Sequence, residues 1–203
     1  MRVDVIDYGV GNLQSVHKAL GFVGAAPNRI TRAGALADSS SILIPGVGHF
    51  DATQALDGPW RDGIRSAIER GVPVLGICLG MQWLFDGSRE SPGVPGLGAL
   101  AGTSDILRGD VKVPHVGWNA LRRTVNTSRL LDGIADDGMA YFTHSFAAPV
   151  TDATVATTSH GSVFASVVER GCVFGVQWHP EKSGAIGLAV LSNFVGIARR
   201  RRW

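Results

Sequence analysis

The chain has few cysteines, few lysines and no long apolar run, and each scarcity excludes a class of protein. Two cysteines in 203 residues cannot form a disulfide framework. No apolar stretch approaches the roughly 20 residues that span a bilayer, so we expect no membrane partner. A net charge of +2 gives little attraction for a polyanion, and we expect no nucleic-acid partner. Sixteen arginines against three lysines make the C-terminal run, residues 199–202 before Trp203, part of a general bias that fits a basic helix end.

What remains is the composition of a folded globular protein. Apolar residues make up 45% of the chain and charged residues 18%, with no repeat or low-complexity tract, which predicts one domain over residues 1–203. The start of the chain has no h-region or cleavage site, so we expect a cytoplasmic protein. In that reducing compartment Cys78 and Cys172 are expected to remain thiols with unrelated roles, Cys172 as part of a strand core.

Short apolar runs alternate with helical stripes in the first half of the chain. Residues 3–7, 41–44 and 72–77 are continuous apolar runs, as in parallel strands covered on both faces. Asn12 opens one helix, and Trp60, Ile64 and Ile68 mark another. After about residue 87, turns at His160-Gly161 and Arg170-Gly171 predict antiparallel strands, before a last helix over residues 186–197. We therefore expect a three-layer α/β fold, with a mostly parallel central sheet and added antiparallel strands in the second half.

A cysteine between two glycines ends the third of these runs, in Gly76-Ile77-Cys78-Leu79-Gly80. This pattern resembles the nucleophile elbow, in which a sharp turn from strand to helix exposes the nucleophile above the sheet. The N-terminus of the following helix favours a thiolate. A small buried residue at a tight turn is the alternative, because free cysteine is often buried.

A cysteine nucleophile needs a base, and histidine suits that role near neutral pH. His179 is followed two residues later by Glu181, and Pro180 favours an extended backbone that places both side chains on one side. His49 with Asp51 ranks second, because nothing holds that pair extended. The other histidines are His115 and His144, expected at strand ends or in loops that could face a cleft, and His17 and His160, expected to be solvated.

Neither a metal site nor a dinucleotide site is expected. No histidines show the i, i+4 helical spacing of zinc ligands, and no close Cys-His cluster occurs. Gly9-Val10-Gly11 lacks the third glycine and the later acidic residue of a dinucleotide fingerprint. We therefore expect no cofactor.

Three stretches together resemble the class I glutamine amidotransferases: GICLGMQ around Cys78, QWHPEKS around His179, and LIPGVGHF at residues 43–50. IDYGVGNL at residues 6–13, VPHVGWN at 113–119 and YFTHSF at 141–146 are similar to the glutaminase subunits of imidazole glycerol phosphate synthase within that family. The resemblance runs from residue 6 to residue 183 and implies a flavodoxin-like fold.

The resemblance also implies roles for individual residues. Cys78, His179 and Glu181 would be a catalytic triad that hydrolyses L-glutamine to glutamate and ammonia through a thioester. The backbone N–H groups of Leu79 and Val47 would form the oxyanion hole. The residues implied to bind substrate are Gly46, Gln82, Glu90, Ser145 and Phe146. Among them, Gln82 and Glu90 would hold the α-carboxylate and α-amino end of the substrate.

Ammonia becomes a poor nucleophile once water protonates it, so such a glutaminase is expected to deliver it directly to a synthase. The resemblance implies a (β/α)8-barrel cyclase partner in histidine biosynthesis, forming a heterodimer with this chain. Asn12, Trp118 and Lys182 are interface candidates.

Three alternatives remain open at the level of sequence. One is a glutaminase serving another synthase, such as that for anthranilate, carbamoyl phosphate or pyridoxal phosphate. A second is a flavodoxin-like cysteine peptidase, in which histidine typically stands where this chain has Leu79. A third is a catalytically silent scaffold subunit, which would not need Cys78, His179 and Glu181 together.

Overall fold

The computed structural model describes residues 1–200 of the chain. Its strands are β1 (Arg2–Ile6), β2 (Ala26–Ile30), β3 (Ile42–Ile44), β4 (Val74–Ile77), β5 (Gly87–Ser88), β6 (Thr103–Ile106), β7 (His115–Arg123), β8 (Gly138–His144), β9 (Phe146–Ala147), β10 (Thr154–His160), β11 (Ser162–Arg170) and β12 (Val173–Val176). Its α-helices are α1 (Leu13–Phe22), α2 (Pro59–Glu69), α3 (Leu79–Trp83) and α4 (Gly184–Arg200). Short 3-10 helices cover Ala33–Asp38, Phe50–Leu56 and Pro180–Lys182. Arg199 and Arg200 form the last turn of α4, while the rest of the C-terminal run, residues 201–203, lies outside the described part of the chain.

Most strands of the described residues belong to a nine-stranded sheet with the order β2-β1-β3-β4-β12-β11-β10-β7-β8. The five strands from β2 to β12 are parallel to one another. From β12 onward each neighbouring pair is antiparallel. The prediction of an α/β fold with antiparallel strands added in the second half is confirmed, and β12 is the strand that joins the two parts.

Helices cover both faces of the parallel strands and divide the core into two clusters. Side chains of α1 and α4, such as Val16, Leu20 and Phe194, pack on one face. Side chains of α2 and α3, such as Ile64 and Met81, pack on the other. The parallel strands are buried on both sides because their residues are apolar at successive positions, as in the fully buried β3 and β4.

One strand of the parallel sheet is missing from the sequence-based prediction. β2, with the sequence APNRI, contains only one fully buried residue, Ile30. It pairs with β1 alone, at the edge of the sheet. An edge strand needs no continuous apolar run, and so it left no periodic signal.

The topology brings several loops to one edge of the sheet. The segments after β1, β3, β4 and β12 all leave from the carboxyl ends of parallel, neighbouring strands. Ligands of open α/β sheets bind at this edge. Among the described residues, no helix is both long and apolar enough to cross a bilayer.

Candidate active site

Cys78 lies on a strained turn at the carboxyl end of β4. This residue lies between β4 and α3 and has a φ of 52° and a ψ of −109°. Such a conformation costs a non-glycine residue about 1–3 kcal/mol. A Cβ on Gly76 would lie 2.6 Å from the carbonyl oxygen of Gly80, and one on Gly80 would lie 2.0 Å from the carbonyl oxygen of Ile44. The two glycines are therefore required where α3 packs against β3 and β4, and they leave the cysteine at the apex of the turn.

The helix that follows Cys78 is short. α3 contains five residues, so its dipole can stabilise a thiolate only weakly. Stronger stabilisation of a negative sulfur must come from neighbouring side chains.

His179 and Glu181 form a buried ion pair just beyond β12. His179 Nδ1 lies 2.8 Å from Glu181 Oε1, and the two side chains are 1% and 3% exposed. His179 has an extended backbone, but Pro180–Lys182 forms a 3-10 turn. The expectation that an extended segment aligns the pair is therefore wrong in its geometry, and the tight turn brings the carboxylate back to the ring. A carboxylate that accepts from Nδ1–H leaves Nε2 as the working nitrogen of the imidazole.

The electrostatic environment of His179 couples it to Cys78. Burial lowers the pKa of His179, but hydrogen bonding and charge interactions with Cys78 and with Glu181 outweigh burial and raise the pKa to about 10. His179 Nε2 is buried and makes no hydrogen bond of ordinary geometry with a described residue. Together these observations fit a sulfur close to Nε2 but not aligned with it, as is common in active sites without substrate. The raised pKa favours the imidazolium, which pairs with a thiolate.

Contacts of the His179 backbone hold this residue against Tyr141 of β8. The His179 N–H donates to the carbonyl oxygen of Tyr141 at 3.0 Å. The Ser183 hydroxyl donates to the carbonyl oxygen of His179 at 2.7 Å and accepts from the Tyr141 N–H at 2.9 Å. Ser183 thus ties the backbone of His179 to that of Tyr141.

A cavity of about 280 Å³ opens beside Cys78. Five of the residues singled out as oxyanion or substrate contacts line it: Leu79, Gln82, Glu90, Ser145 and Phe146. Gly48, His49, Pro114, Thr143 and His144 complete the wall. The volume suits a small polar ligand of the size of an amino acid.

Gln82 and Glu90 both present acceptor atoms once their contacts are counted. Gln82 Nε2 donates to the carbonyl oxygen of Phe146 at 2.8 Å and to Gln177 Oε1 at 3.0 Å. Both amide hydrogens of Gln82 are thereby used, and Oε1 remains. Glu90 Oε2 accepts from the Phe50 N–H at 2.8 Å, which leaves its second oxygen. Both side chains are thus suited to an ammonium group and not to a carboxylate.

The loop after β3, residues 45–48, is wedged between two neighbouring turns. A Cβ on Gly46 would lie 2.7 Å from Leu79 Cβ, 2.7 Å from the Tyr8 hydroxyl and 2.8 Å from Gly80 N. The Tyr8 hydroxyl donates to the carbonyl oxygen of Pro45 at 2.9 Å. Burial, and then the charge of Cys78, raise the pKa of Tyr8 well above its usual value, so the phenol stays a donor. Val47 of the same loop is 36% exposed.

Two further histidines form a pair, His144 in the cavity wall and His115 beside it. His144 Nδ1 lies 3.0 Å from the carbonyl oxygen of Phe146, which must accept, so His144 carries its proton on Nδ1. His144 Nε2 then accepts from His115 Nδ1 at 3.2 Å, and Asn119 donates to His115 Nε2 at 3.2 Å. Burial lowers the pKa of His115 to about 4 and that of His144 to about 3. Both rings are neutral near pH 7 and hold the Phe146 carbonyl in place.

The remaining histidines and Cys172 differ in part from expectation. His49 and Asp51 lie 3.5 Å apart, and both side chains are more than half exposed, so this pair stays weaker than His179 with Glu181. His160 is not freely solvated, because its ring stacks on His115 with centroids 4.1 Å apart. Cys172 lies in the turn before β12, not within a strand, and its thiol donates to the carbonyl oxygen of Ile68 at 3.4 Å.

The interface candidates lie away from the cavity wall. Asn12 caps α1, its side chain accepting from the Ser15 N–H at 3.2 Å. Trp118 on β7 is 54% exposed. The Lys182 ammonium lies 5.9 Å from the centroid of the Tyr141 ring.

Tyr8, His144, Gln177 and Ser183 contribute to the site without having been assigned a role from sequence. Gln177 Nε2, for example, donates to Cys78 Sγ at 3.6 Å across 99 positions of the chain. All four lie inside stretches already singled out, Tyr8 in IDYGVGNL, His144 in YFTHSF, and Gln177 and Ser183 in QWHPEKS. Their presence in those stretches was the available signal, and only the fold shows what they contact.

Comparisons with known proteins agree on one family. The family model for glutamine amidotransferase class-I matches residues 4–197. The imidazole glycerol phosphate synthase subunit HisH of Thermococcus kodakarensis is 45% identical over 198 residues, covering 95% of this chain and 98% of that protein. The proteins of the same name from Geobacillus kaustophilus and Salinibacter ruber are 44% and 43% identical and cover 98% and 95% of this chain, and 98% and 93% of their own lengths.

Solved structures support the fold. A crystal structure of a glutamine amidotransferase superposes with a TM-score of 0.76 at 18% identity, covering 97% of this chain and 98% of its own. The structure of PurLQS from Thermotoga maritima gives a TM-score of 0.75 at 22% identity, with the same coverage.

Proposed function

The chain belongs to the class I glutamine amidotransferases and, within them, to the family of the imidazole glycerol phosphate synthase subunit HisH, and we propose that it hydrolyses L-glutamine to L-glutamate and ammonia for a synthase. One observation carries the proposal. A cysteine on a strained turn and a buried His179–Glu181 pair, coupled to that cysteine, lie at the ends of the adjacent strands β4 and β12. The thiol chemistry fits the reducing cytoplasm as the site of action.

In the first half of the proposed reaction, Cys78 forms a bond to the side-chain amide carbon of glutamine. The thiolate attacks that carbon, and a negative charge develops on the amide oxygen. His179, held as an imidazolium, donates its Nε2 proton to the departing nitrogen. The carbon–nitrogen bond breaks, ammonia leaves, and a glutamyl thioester remains on the sulfur.

Water completes the reaction. Neutral His179 takes a proton from the water, whose oxygen attacks the thioester carbon. The carbon–sulfur bond breaks, and glutamate leaves. The thiolate and the imidazolium are restored as a pair. Glu181 keeps Nδ1 protonated and the ring oriented in both steps.

The amide oxygen requires donors in both steps. The Leu79 N–H is one of the first, unpaired N–H groups of α3 and follows the nucleophile directly. The Val47 N–H, on the loop packed against Leu79, is the second proposed donor. Gly46 allows this loop to approach so closely, because a Cβ would meet Leu79 at 2.7 Å.

The far end of glutamine is proposed to bind across the cavity. The free oxygens of Gln82 and Glu90 accept from its α-ammonium group, as their contacts require. Ser145 and Phe146, which line the same cavity, are the proposed contacts of the α-carboxylate. From the sequence, Gln82 and Glu90 were expected to bind the α-carboxylate and the α-amino group between them. In this assignment both bind the α-ammonium group.

We further propose that the ammonia passes to a (β/α)8-barrel cyclase, which makes imidazole glycerol phosphate and aminoimidazole carboxamide ribotide. The similar proteins are named subunits of that synthase. This chain exposes an apolar face on β7 and β8, where Val116, Trp118 and Met139 are 58%, 54% and 46% exposed. Lys182 lies over Tyr141 beside it. Trp118, Lys182 and Asn12 are the proposed contacts.

The test combines the chain with purified synthase partners and measures glutamate release. We expect release only with the cyclase and its nucleotide substrate, and little with an anthranilate or carbamoyl phosphate synthase subunit. Trp118→Ala should weaken activation by the cyclase, and Val163→Ala, at a residue of β11 that is also more than half exposed, serves as its control. Activation by a different synthase and not by the cyclase would reassign the partner, and no glutamate with any partner would refute the proposal.

A further inference from the structure

We propose that Gln177 is a positioning residue that holds the Cys78 sulfur as a thiolate by an N–H···S hydrogen bond and links it to the substrate cavity through Gln82. The proposal rests on the proposed role of Cys78 as nucleophile. It assigns a function to a fully buried polar side chain that the triad does not use.

Gln177 sits at the centre of a buried chain of hydrogen bonds. The residue is 0% exposed. Its backbone N–H donates to the carbonyl oxygen of Ser166 at 3.0 Å. Its Nε2 lies 3.6 Å from Cys78 Sγ, and its Oε1 accepts from Gln82 Nε2 at 3.0 Å. Gln82 Nε2 also donates to the carbonyl oxygen of Phe146 at 2.8 Å. The chain therefore runs from the cavity wall to the sulfur.

The direction of this chain follows from its far end. The Phe146 carbonyl can only accept, so Gln82 must present its NH2 group there. The second hydrogen of that NH2 group then requires the oxygen of Gln177. Gln177 Nε2 is left to face the sulfur. The reverse orientation would place two NH2 groups 3.0 Å apart and a carbonyl oxygen against the sulfur.

An N–H donor beside the sulfur distinguishes between its two protonation states. Sulfur in a thiol is a weak acceptor, whereas a thiolate carries a full charge, so the bond stabilises mainly the thiolate. The short α3 provides little of this stabilisation, and His179 Nε2 makes no hydrogen bond of ordinary geometry within residues 1–200.

The link through Gln82 gives this bond a second consequence. A ligand that engages Gln82 Oε1 polarises the Gln82 amide and strengthens its donation to Gln177 Oε1. The Gln177 NH2 group then becomes a better donor to the sulfur. Occupation of the ammonium site is in this way connected to the state of the nucleophile.

Alkylation of Cys78 by iodoacetamide at a series of pH values tests the proposal, on the full chain in a Cys172→Ser background. Gln177→Met keeps the volume but removes both polar atoms, and Gln177→Glu keeps the acceptor for Gln82 but removes the donor. The other titratable groups near the sulfur or across the cavity, which are Tyr8, His49, Glu90, His144 and His179, are unchanged in both variants.

We expect the pH of half-maximal alkylation to rise in both variants, more for Gln177→Glu, because a carboxylate repels the thiolate. A hydrogen bond to a charged group is worth about 1.5 kcal/mol, which moves the midpoint up by about one pH unit, so the alkylation rate below the wild-type midpoint should fall about tenfold. Steady-state kinetics should show a lower kcat for glutamine with little change in KM. A side chain that only fills the core would lower the unfolding midpoint and leave the alkylation profile in place.

A measurement on the unmodified chain covers the case in which both variants fail to fold. The side-chain NH2 resonances of Gln177 should shift with the same midpoint as Cys78 alkylation, and this shift should be absent in Cys78→Ala. The proposal would be overturned if the Gln177 NH2 resonances did not shift as the sulfur ionises. It would also be overturned if folded variants kept the wild-type alkylation profile. The alkylation profile and the resonance shift do not depend on glutamine turnover, so an inactive wild-type chain would refute the proposed function separately.

Discussion

Replacing Gly46 with alanine introduces one methyl group at the tightest point between the 45–48 loop and the Cys78 turn. That Cβ would lie 2.7 Å from Leu79 Cβ, 2.7 Å from the Tyr8 hydroxyl and 2.8 Å from Gly80 N. The Tyr8 side chain can rotate away, but Leu79 Cβ and Gly80 N belong to a turn that is itself packed against β3. The loop must therefore move, and with it the proposed Val47 donor.

The size of the effect follows from these contacts. Carbon atoms need about 3.5 Å between them, so the loop has to move by roughly 1 Å at Gly46. A displacement of that size costs about 100-fold in rate when it separates catalytic groups, and loss of one oxyanion donor costs about 100- to 1,000-fold. Overpacking of this kind destabilises a protein by about 1–3 kcal/mol. We expect kcat for glutamine to fall about 100-fold or more, with the chain still folded.

The assay is glutamate release at saturating glutamine in the complex with the cyclase, together with urea unfolding of the isolated chain. Gly93→Ala is the matched control, because a Cβ there meets nothing within 4 Å. Adding Tyr8→Phe to Gly46→Ala removes one of the three contacts and should restore only part of the lost stability. A Gly46→Ala chain with wild-type kcat and an unchanged unfolding midpoint would refute the packing argument.

Three further predictions concern ionisable groups. The pKa of His179 is raised to about 10 chiefly by Cys78 and Glu181 against the effect of burial, so NMR should find no titration between pH 6 and 8.5, whereas in Cys78→Ala the titration should move toward 6.5. Glu181→Gln keeps the shape but loses control of the tautomer, and kcat should fall about 10,000-fold with a small change in KM. Burial lowers the pKa of His115 to about 4 and that of His144 to about 3. The unfolded chain therefore binds protons first, and the free energy of unfolding should fall from about pH 6.5 toward pH 4 by up to about 1.4 kcal/mol per unit for each histidine. Denaturant titrations of wild type and His115→Gln check this, and equal slopes would contradict it.

Much of the fold could be predicted because burial leaves a direct mark on sequence. β3 and β4 are apolar at successive positions since helices cover both of their faces. β2 could not be predicted in this way, because an edge strand with one buried residue has no such pattern. Strand order also lies outside periodicity. Nothing local to residues 173–176 indicates that this strand pairs in parallel with β4 and antiparallel with β11.

In the candidate site, too, contacts between residues close in sequence could be predicted, and contacts between distant residues could not. The Gly76 to Gly80 turn and the His179–Glu181 pair involve residues within four positions of each other, and the residue types alone indicate their chemistry. The bond from Tyr8 to Pro45 crosses 37 positions, and the one from Gln177 to Cys78 crosses 99. Such contacts depend on which loops the sheet brings together.

Electrostatic coupling between side chains was the feature least predictable from the sequence. Spacing suggested an extended His179–Glu181 pair, whereas a 3-10 turn forms it. The neutral state of His115 and His144 results from burial of two rings that pair across β7 and β8. A sequence gives the ionisable groups but not the surroundings that set their charge.

The most direct test of the central claim uses Cys78→Ala in the complex with the cyclase. If Cys78 is the nucleophile that releases ammonia from glutamine, the variant should lose glutamine-dependent product formation and retain formation from added ammonium salts at the wild-type rate. Product formation from glutamine by the alanine variant would contradict the claim.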